Sequence, residues 1–187
     1  MRWLSFYRSA PDLSEGSRYT QATFGYIVPA GTASDGQEGV VDAGARSEFS
    51  TLREAIAADA LDNLVEQCGD QADVPLQGLH FAPTITDPKK ILCVGLNYKA
   101  HQEETGRGGE GVPTVFVRFA AAQMGHGEAM VRPRESASLD FEGEIAMIIG
   151  RGGRRIARQG AMDHVAGFGI YNDCLLYTSP SPRDTRE

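Results

Sequence analysis

The segment Leu139-Asp140-Phe141-Glu142-Gly143-Glu144 places three carboxylates two residues apart. On a β-strand, residues two apart share a face, so Asp140, Glu142 and Glu144 read as one row of negative charge. The row leads into Ile145-Ala146-Met147-Ile148-Ile149-Gly150, apolar enough to be buried. Like charges this close repel unless water at an exposed strand end or a cation relieves them. Oxygen ligands without added His or Cys suit a hard ion, Mg²⁺ or Mn²⁺ or Ca²⁺, better than zinc. Asp173, at the end of Val165-Ala166-Gly167-Phe168-Gly169-Ile170-Tyr171-Asn172, is positioned to add a ligand from a neighbouring strand. Spacing alone leaves both readings open, a solvated strand end and a metal centre.

A second candidate lies upstream. Ile91-Leu92-Cys93-Val94-Gly95 reads as a fully buried strand, and Asn97 can cap a short helix through Lys99-Ala100-His101-Gln102-Glu103-Glu104. His101 and Glu104, three apart, share one helix face. A carboxylate beside an imidazole orients it and raises its basicity, the arrangement of a general base, although an exposed helix carries such pairs incidentally. Gly106-Arg107-Gly108-Gly109-Glu110-Gly111 matches the glycine spacing of a dinucleotide fingerprint, but it follows a helix and precedes the strand-like Val112-Pro113-Thr114-Val115-Phe116-Val117. The fingerprint needs the opposite order, so a loop able to act as a lid is the reading kept. Arg118 is a candidate to meet a substrate carboxylate. Arg151, Arg154, Arg155 and Arg158 form either an anion patch or a solvated turn.

The elements that must position these residues follow from composition. The chain has 187 residues, 41% of them hydrophobic and 23% charged, which fits a soluble globular protein of one or two domains. Its net charge is −7, and residues 1–88 hold 13 acids and 5 bases against 12 and 13 in the rest. That step suggests a boundary near Lys89-Lys90 and offers no basic stripe to nucleic acid. Three cysteines in no metal-binding spacing, with no apolar run long enough to span a bilayer, lead to an expectation of a cytoplasmic protein that neither enters membranes nor carries a disulfide framework. Residues 1–85 read as a small strand-rich domain: strands over Tyr19–Val28 and Gly39–Asp42, then a helix opening at Ser50 and stopping at Gly69.

Taken in order, the block Ile91-Leu92-Cys93-Val94-Gly95-Leu96-Asn97-Tyr98 with His101 and Glu104, the block Leu139–Glu144 leading to Ile149-Gly150, and Gly167-Phe168 with Asn172-Asp173 resemble the fumarylacetoacetate hydrolase family. The resemblance covers residues 89–173 and implies an α+β, predominantly β architecture: a small strand-rich N-terminal domain, then an incomplete mixed β-roll. It implies a metal ion held by Glu142, Glu144 and Asp173, with His101 and Glu104 activating water. It further implies a homodimer acting on small oxo-acids: a metal-dependent hydrolase that cleaves a carbon–carbon bond in acylpyruvate-like or fumarylacetoacetate-like acids, or else an isomerase or decarboxylase at the same centre, or an inactive fragment. After Asp173 the family continues through further strands, a lysine and a Gly-Thr loop. Residues 174–187 instead read as a polar, proline-punctuated tail, expected to be disordered and to leave apolar strand faces uncovered.

Overall fold

The computed structural model describes residues 1–9, 22–31, 36–105 and 113–176, with the backbone alone at His101, Glu104, Thr105, Leu175 and Leu176. The expected strand start at Tyr19, the glycine-rich loop 106–111 and residues 177–187 of the expected tail lie outside the described residues. Two compact units result, one of residues 1–55 and 62–128, the other of 56–61 and 129–187. The division falls well past Lys89-Lys90. Strands 91–95 and 114–118 therefore group with the N-terminal sheet's unit, whereas the expected domains divide at 85–89.

In the first unit, β1 (Trp3–Tyr7), β2 (Ala22–Val28), β3 (Gly39–Val41), β4 (Val74–Pro75) and β5 (His80–Phe81) form one antiparallel sheet in the order β4-β3-β2-β1-β5. Its three central strands, β1 to β3, are buried on both faces. Leu4, Phe6 and Val40 pack with Ile27, Val74, Leu76, Leu79 and Phe81, and Trp3 meets the edge of Tyr26 at 5.0 Å between ring centroids. Burial of apolar area on this scale is the main stabilising term available to the unit. Gly25 is required by close approach, because a Cβ there would lie 2.0 Å from the Val41 carbonyl oxygen.

The helical stretch is two helices, α1 (Leu52–Ala57) and α2 (Leu61–Cys68). Its cap sits one residue later than expected: Thr51 Oγ1 accepts from the Glu54 N–H at 3.2 Å, while Glu54 reaches back to the Ser50 N–H at 2.9 Å. Asp59, at φ 55°, breaks the run in a left-handed conformation that aspartate tolerates better than most residues. Gly69, at φ 71°, ends α2 as expected. Cys68 is buried there, and burial raises its thiol pKa above the ordinary value, with the Arg46 charge opposing. Since the thiolate is the reactive form, iodoacetamide at pH 8 is expected to alkylate Cys68 roughly tenfold more slowly in the native chain than in urea. Peptide mass spectrometry of timed samples reads this directly; equal rates would contradict the buried placement.

The remaining pairings among the described residues are hairpin-like and antiparallel. In the first unit β6 (Ile91–Gly95) pairs with β7 (Thr114–Arg118). In the second, β8 (Leu139–Asp140) pairs with β11 (Leu175–Leu176), and β9 (Gly143–Ile149) pairs with β10 (Val165–Asn172). Pairing thus continues to Leu176, past the residue where the tail was expected to begin. β6 is not the fully buried strand its composition suggests, since Leu92 is 60% exposed. β9 and β10 likewise present an open apolar face, on which Ile145 is 73% and Ile170 96% exposed. No helix of the described residues is long and apolar enough to cross a membrane.

Candidate active site

β6 ends at Gly95, and Leu96 turns the chain in the left-handed region at φ 54°. That conformation is costly for a residue with a bulky side chain. The turn is held by the Gln102 side-chain amide, which donates to the Leu96 carbonyl, while the Gln102 N–H donates to the Tyr98 carbonyl at 3.0 Å. Helix α3 (Lys99–Thr105) follows and carries both His101 and Glu104, close to the expected span. Their side chains are outside what is described, so their pairing stays an expectation. Sequence reading passed over Gln102; an amide placed to bond the turn before its own helix was the available signal. Arg118, the last residue of β7, stacks its guanidinium over the Phe116 ring at 5.1 Å. It is half-buried.

In the second unit the carboxylates gather at one end of the β9–β10 hairpin. Tyr171 stands opposite Glu144 and Asn172 opposite Gly143. One step further, the Asp173 N–H donates to the Glu142 carbonyl at 2.9 Å, which continues the pairing beyond the strand end. Directly opposed residues of an antiparallel pair lie on the same face. Glu142, Glu144, Tyr171 and Asp173 therefore share one. Asp173 is buried at 5% exposure, whereas Glu142 and Glu144 are half-buried. Asn172, quoted in the family block without a role of its own, accepts the Glu142 N–H on its side-chain oxygen at 2.9 Å and fixes the turn into β9.

Asp140 does not belong to this row. The strand expected over Leu139–Gly150 is interrupted at Phe141-Glu142, Asp140 in β8 pairs with Leu175 instead, and its carboxylate accepts the Phe141 N–H at 2.9 Å. Three carboxylates on one hairpin end match the donor chemistry of a hard divalent cation. Their side chains are not drawn together into a ligand set: among the described residues no three His, Cys, Asp or Glu side chains are grouped closely enough to hold a metal ion.

Residues 90–178 match the model of the fumarylacetoacetate hydrolase C-terminal domain, so the match takes in the β6 block, the Glu142–Glu144 block and Asp173 together. Over that segment the chain is similar to the fumarylacetoacetate hydrolase family. Among curated relatives, two mitochondrial oxaloacetate tautomerases of Bos taurus are each 37% identical over 100 residues, covering 54% of this chain and 32% of theirs. The chain spans about a third of the length of those family members. Among solved structures, a protein described as a probable 2-hydroxyhepta-2,4-diene-1,7-dioate isomerase from Mycobacterium abscessus is 33% identical at a TM-score of 0.51, over 65% of this chain and 41% of that one. Maleylpyruvate hydrolase from Sphingobium, solved with manganese(II) and pyruvate, gives a TM-score of 0.65 over 94% of this chain and 59% of that one. At 21% identity that likeness is one of fold, and it supports the strand-rich α+β class.

Proposed function

We propose that the chain belongs to a metal-dependent enzyme of small 2-oxo-acids, with Glu142, Glu144 and Asp173 holding a divalent cation. The observation that carries this reading is the shared face of those three residues at one end of a hairpin inside the family segment. A bound Mg²⁺, Mn²⁺ or Ca²⁺ supplies Lewis-acid polarisation of a carbonyl oxygen and a charge against which an enolate is stabilised. His101, oriented by Glu104, accepts a proton from water, and Arg118 pairs with a substrate carboxylate. Attack of that water on a second carbonyl cleaves the carbon–carbon bond of an acylpyruvate-like or fumarylacetoacetate-like acid, releasing the other half as its enolate, in an enzyme that works as a homodimer.

A second reading has its own support. Relatives above 30% identity include proteins named as oxaloacetate tautomerases and one described as a probable isomerase, which favours proton transfer on an oxo-acid without bond cleavage. The same base then moves a proton between carbon and oxygen, and no water is consumed.

Spectrophotometry with added Mn²⁺ or Mg²⁺ separates the two. Loss of the diketo absorbance of an acylpyruvate with release of pyruvate marks hydrolysis, and accelerated enol–keto interconversion of oxaloacetate without pyruvate marks tautomerisation. In either case His101→Ala is expected to lower kcat by about 10²- to 10⁴-fold, the usual contribution of a general base, while metal affinity stays within about twofold. Loss of metal affinity in parallel with rate would remove His101 from the role of base.

A further inference from the structure

The connection between β9 and β10 is a basic excursion closed at its neck. The N–H groups of Gly150 and Arg151 both donate to the His164 carbonyl, at 2.9 and 3.2 Å, and His164 Nδ1 donates back to the Arg151 carbonyl at 2.8 Å. Gly153 packs against that ring so closely that a Cβ would stand 2.8 Å from it. Beyond the neck project Arg151, Arg154, Arg155 and Arg158, all exposed. Among the described residues none of the four guanidiniums makes an ion pair or a hydrogen bond. Asp163 supplies the loop's single negative charge, on a chain whose net charge is −7. Such a concentration of one sign against the overall charge marks a place where an anion is locally favoured.

We infer that this loop is a binding site for a free oligophosphate anion, separate from the carboxylate end of the hairpin. Seven residues of β9 at about 3.3 Å each put roughly 20 Å between the loop and Glu142–Glu144, so the loop does not serve the oxo-acid. Its positive charge is entirely arginine, and residues 129–187 contain no lysine. The guanidinium fork bonds two phosphate oxygens at once, which a lysine ammonium does not match. A dicarboxylate occupies at most two of the four forks, whereas a linear triphosphate presents charge to all of them. A nucleic acid would extend past the loop over a chain of opposite preference, while a small anion feels mainly charges within the ~8 Å screening length.

The experiment is calorimetric titration of the 187-residue chain with sodium tripolyphosphate in metal-free, low-salt buffer. The wild type is expected to bind. R154A/R155A and R151A/R158A, all changes at exposed positions, are each expected to weaken binding by about tenfold, two exposed ion pairs being lost in each. R132A/R134A removes the same charge elsewhere in the unit and E142Q/E144Q alters the carboxylate end; both should bind within about twofold of wild type. The inference is overturned if the wild type does not bind, if R132A/R134A weakens binding as much as the loop variants, or if only vesicles containing phosphoinositides, or only oligonucleotides, are bound.

Discussion

Manganese(II) or magnesium is expected to raise the melting temperature of the 187-residue chain, and E142Q/E144Q to remove that rise. A ligand at ten times its dissociation constant stabilises the state it binds by about 1.4 kcal/mol, a shift of several degrees for a unit of this size. Gln keeps the shape of Glu and the half-buried surroundings but supplies a neutral oxygen. Since carboxylate charge dominates affinity for a hard cation, loss of two of three charges is expected to weaken binding by roughly a hundredfold. Asp173→Asn should act in the same direction, and its N–H bond to the Glu142 carbonyl is untouched because that bond is backbone to backbone. Asp140→Asn is the control: Asp140 lies in β8, bonded to its own neighbour's N–H, and metal-induced stabilisation should survive its loss. Equal loss in the control, or full retention in E142Q/E144Q, would move the cation away from the shared face.

What the sequence made legible were the features written in short-range patterns. The continuous apolar run of Ile91–Gly95 and the alternation through β9 and β10 specify strands wherever they are placed, and Gly69 stops a helix because its positive φ suits glycine. The motif spacing also located the family segment, since Asp173 meets Glu142 only when β9 and β10 pair in the observed register. Other features were written in packing and were invisible to pattern. The break at Asp59 interrupts an alanine-rich stretch of good helix propensity, and only a tertiary context selects a left-handed aspartate there. The exposure of Leu92 and Ile170 contradicts the usual meaning of an apolar strand, because burial depends on what covers a face and composition does not record that. Similarly the charge step at Lys89-Lys90 is a property of composition, whereas the boundary at 128/129 follows which strands pack together.

The buried carboxylate of Asp42 was also missed, although it anchors the first unit. Asp42→Ala is expected to destabilise that unit by about 3 kcal/mol, more than any exposed charge removed from it, because a buried partner is deleted and its donors are left behind. Asp42 is 5% exposed and sits just after β3. Its Oδ2 accepts Arg8 Nε at 2.6 Å, and its Oδ1 accepts the Thr23 hydroxyl at 2.6 Å, the Ala45 N–H at 3.0 Å and Arg8 Nη2 at 3.1 Å. β1, β2 and the turn after β3 are thereby tied to one side chain. The Asp42 N–H in turn donates to Asp73 at 2.8 Å, and Asp73 pairs with Arg46, so the network continues toward α2. The bond to Asp42 raises the Arg8 pKa, and this guanidinium stays charged at any pH at which the chain folds. Arg8 is about half exposed, and water can replace its lost partner. Thr23, at 5% exposure, has no such recourse. Arg8→Met should therefore cost less than Asp42→Ala, about 1 to 2 kcal/mol, as Thr23 and Ala45 still satisfy the carboxylate. Asp42→Asn should fall between the two. Urea unfolding followed by the fluorescence of Trp3, which lies against Tyr26 in the same sheet, reads all three. If Asp42→Ala unfolded within about 0.5 kcal/mol of wild type, the usual scatter of a surface change, the carboxylate would have to be solvated and the anchor would be lost.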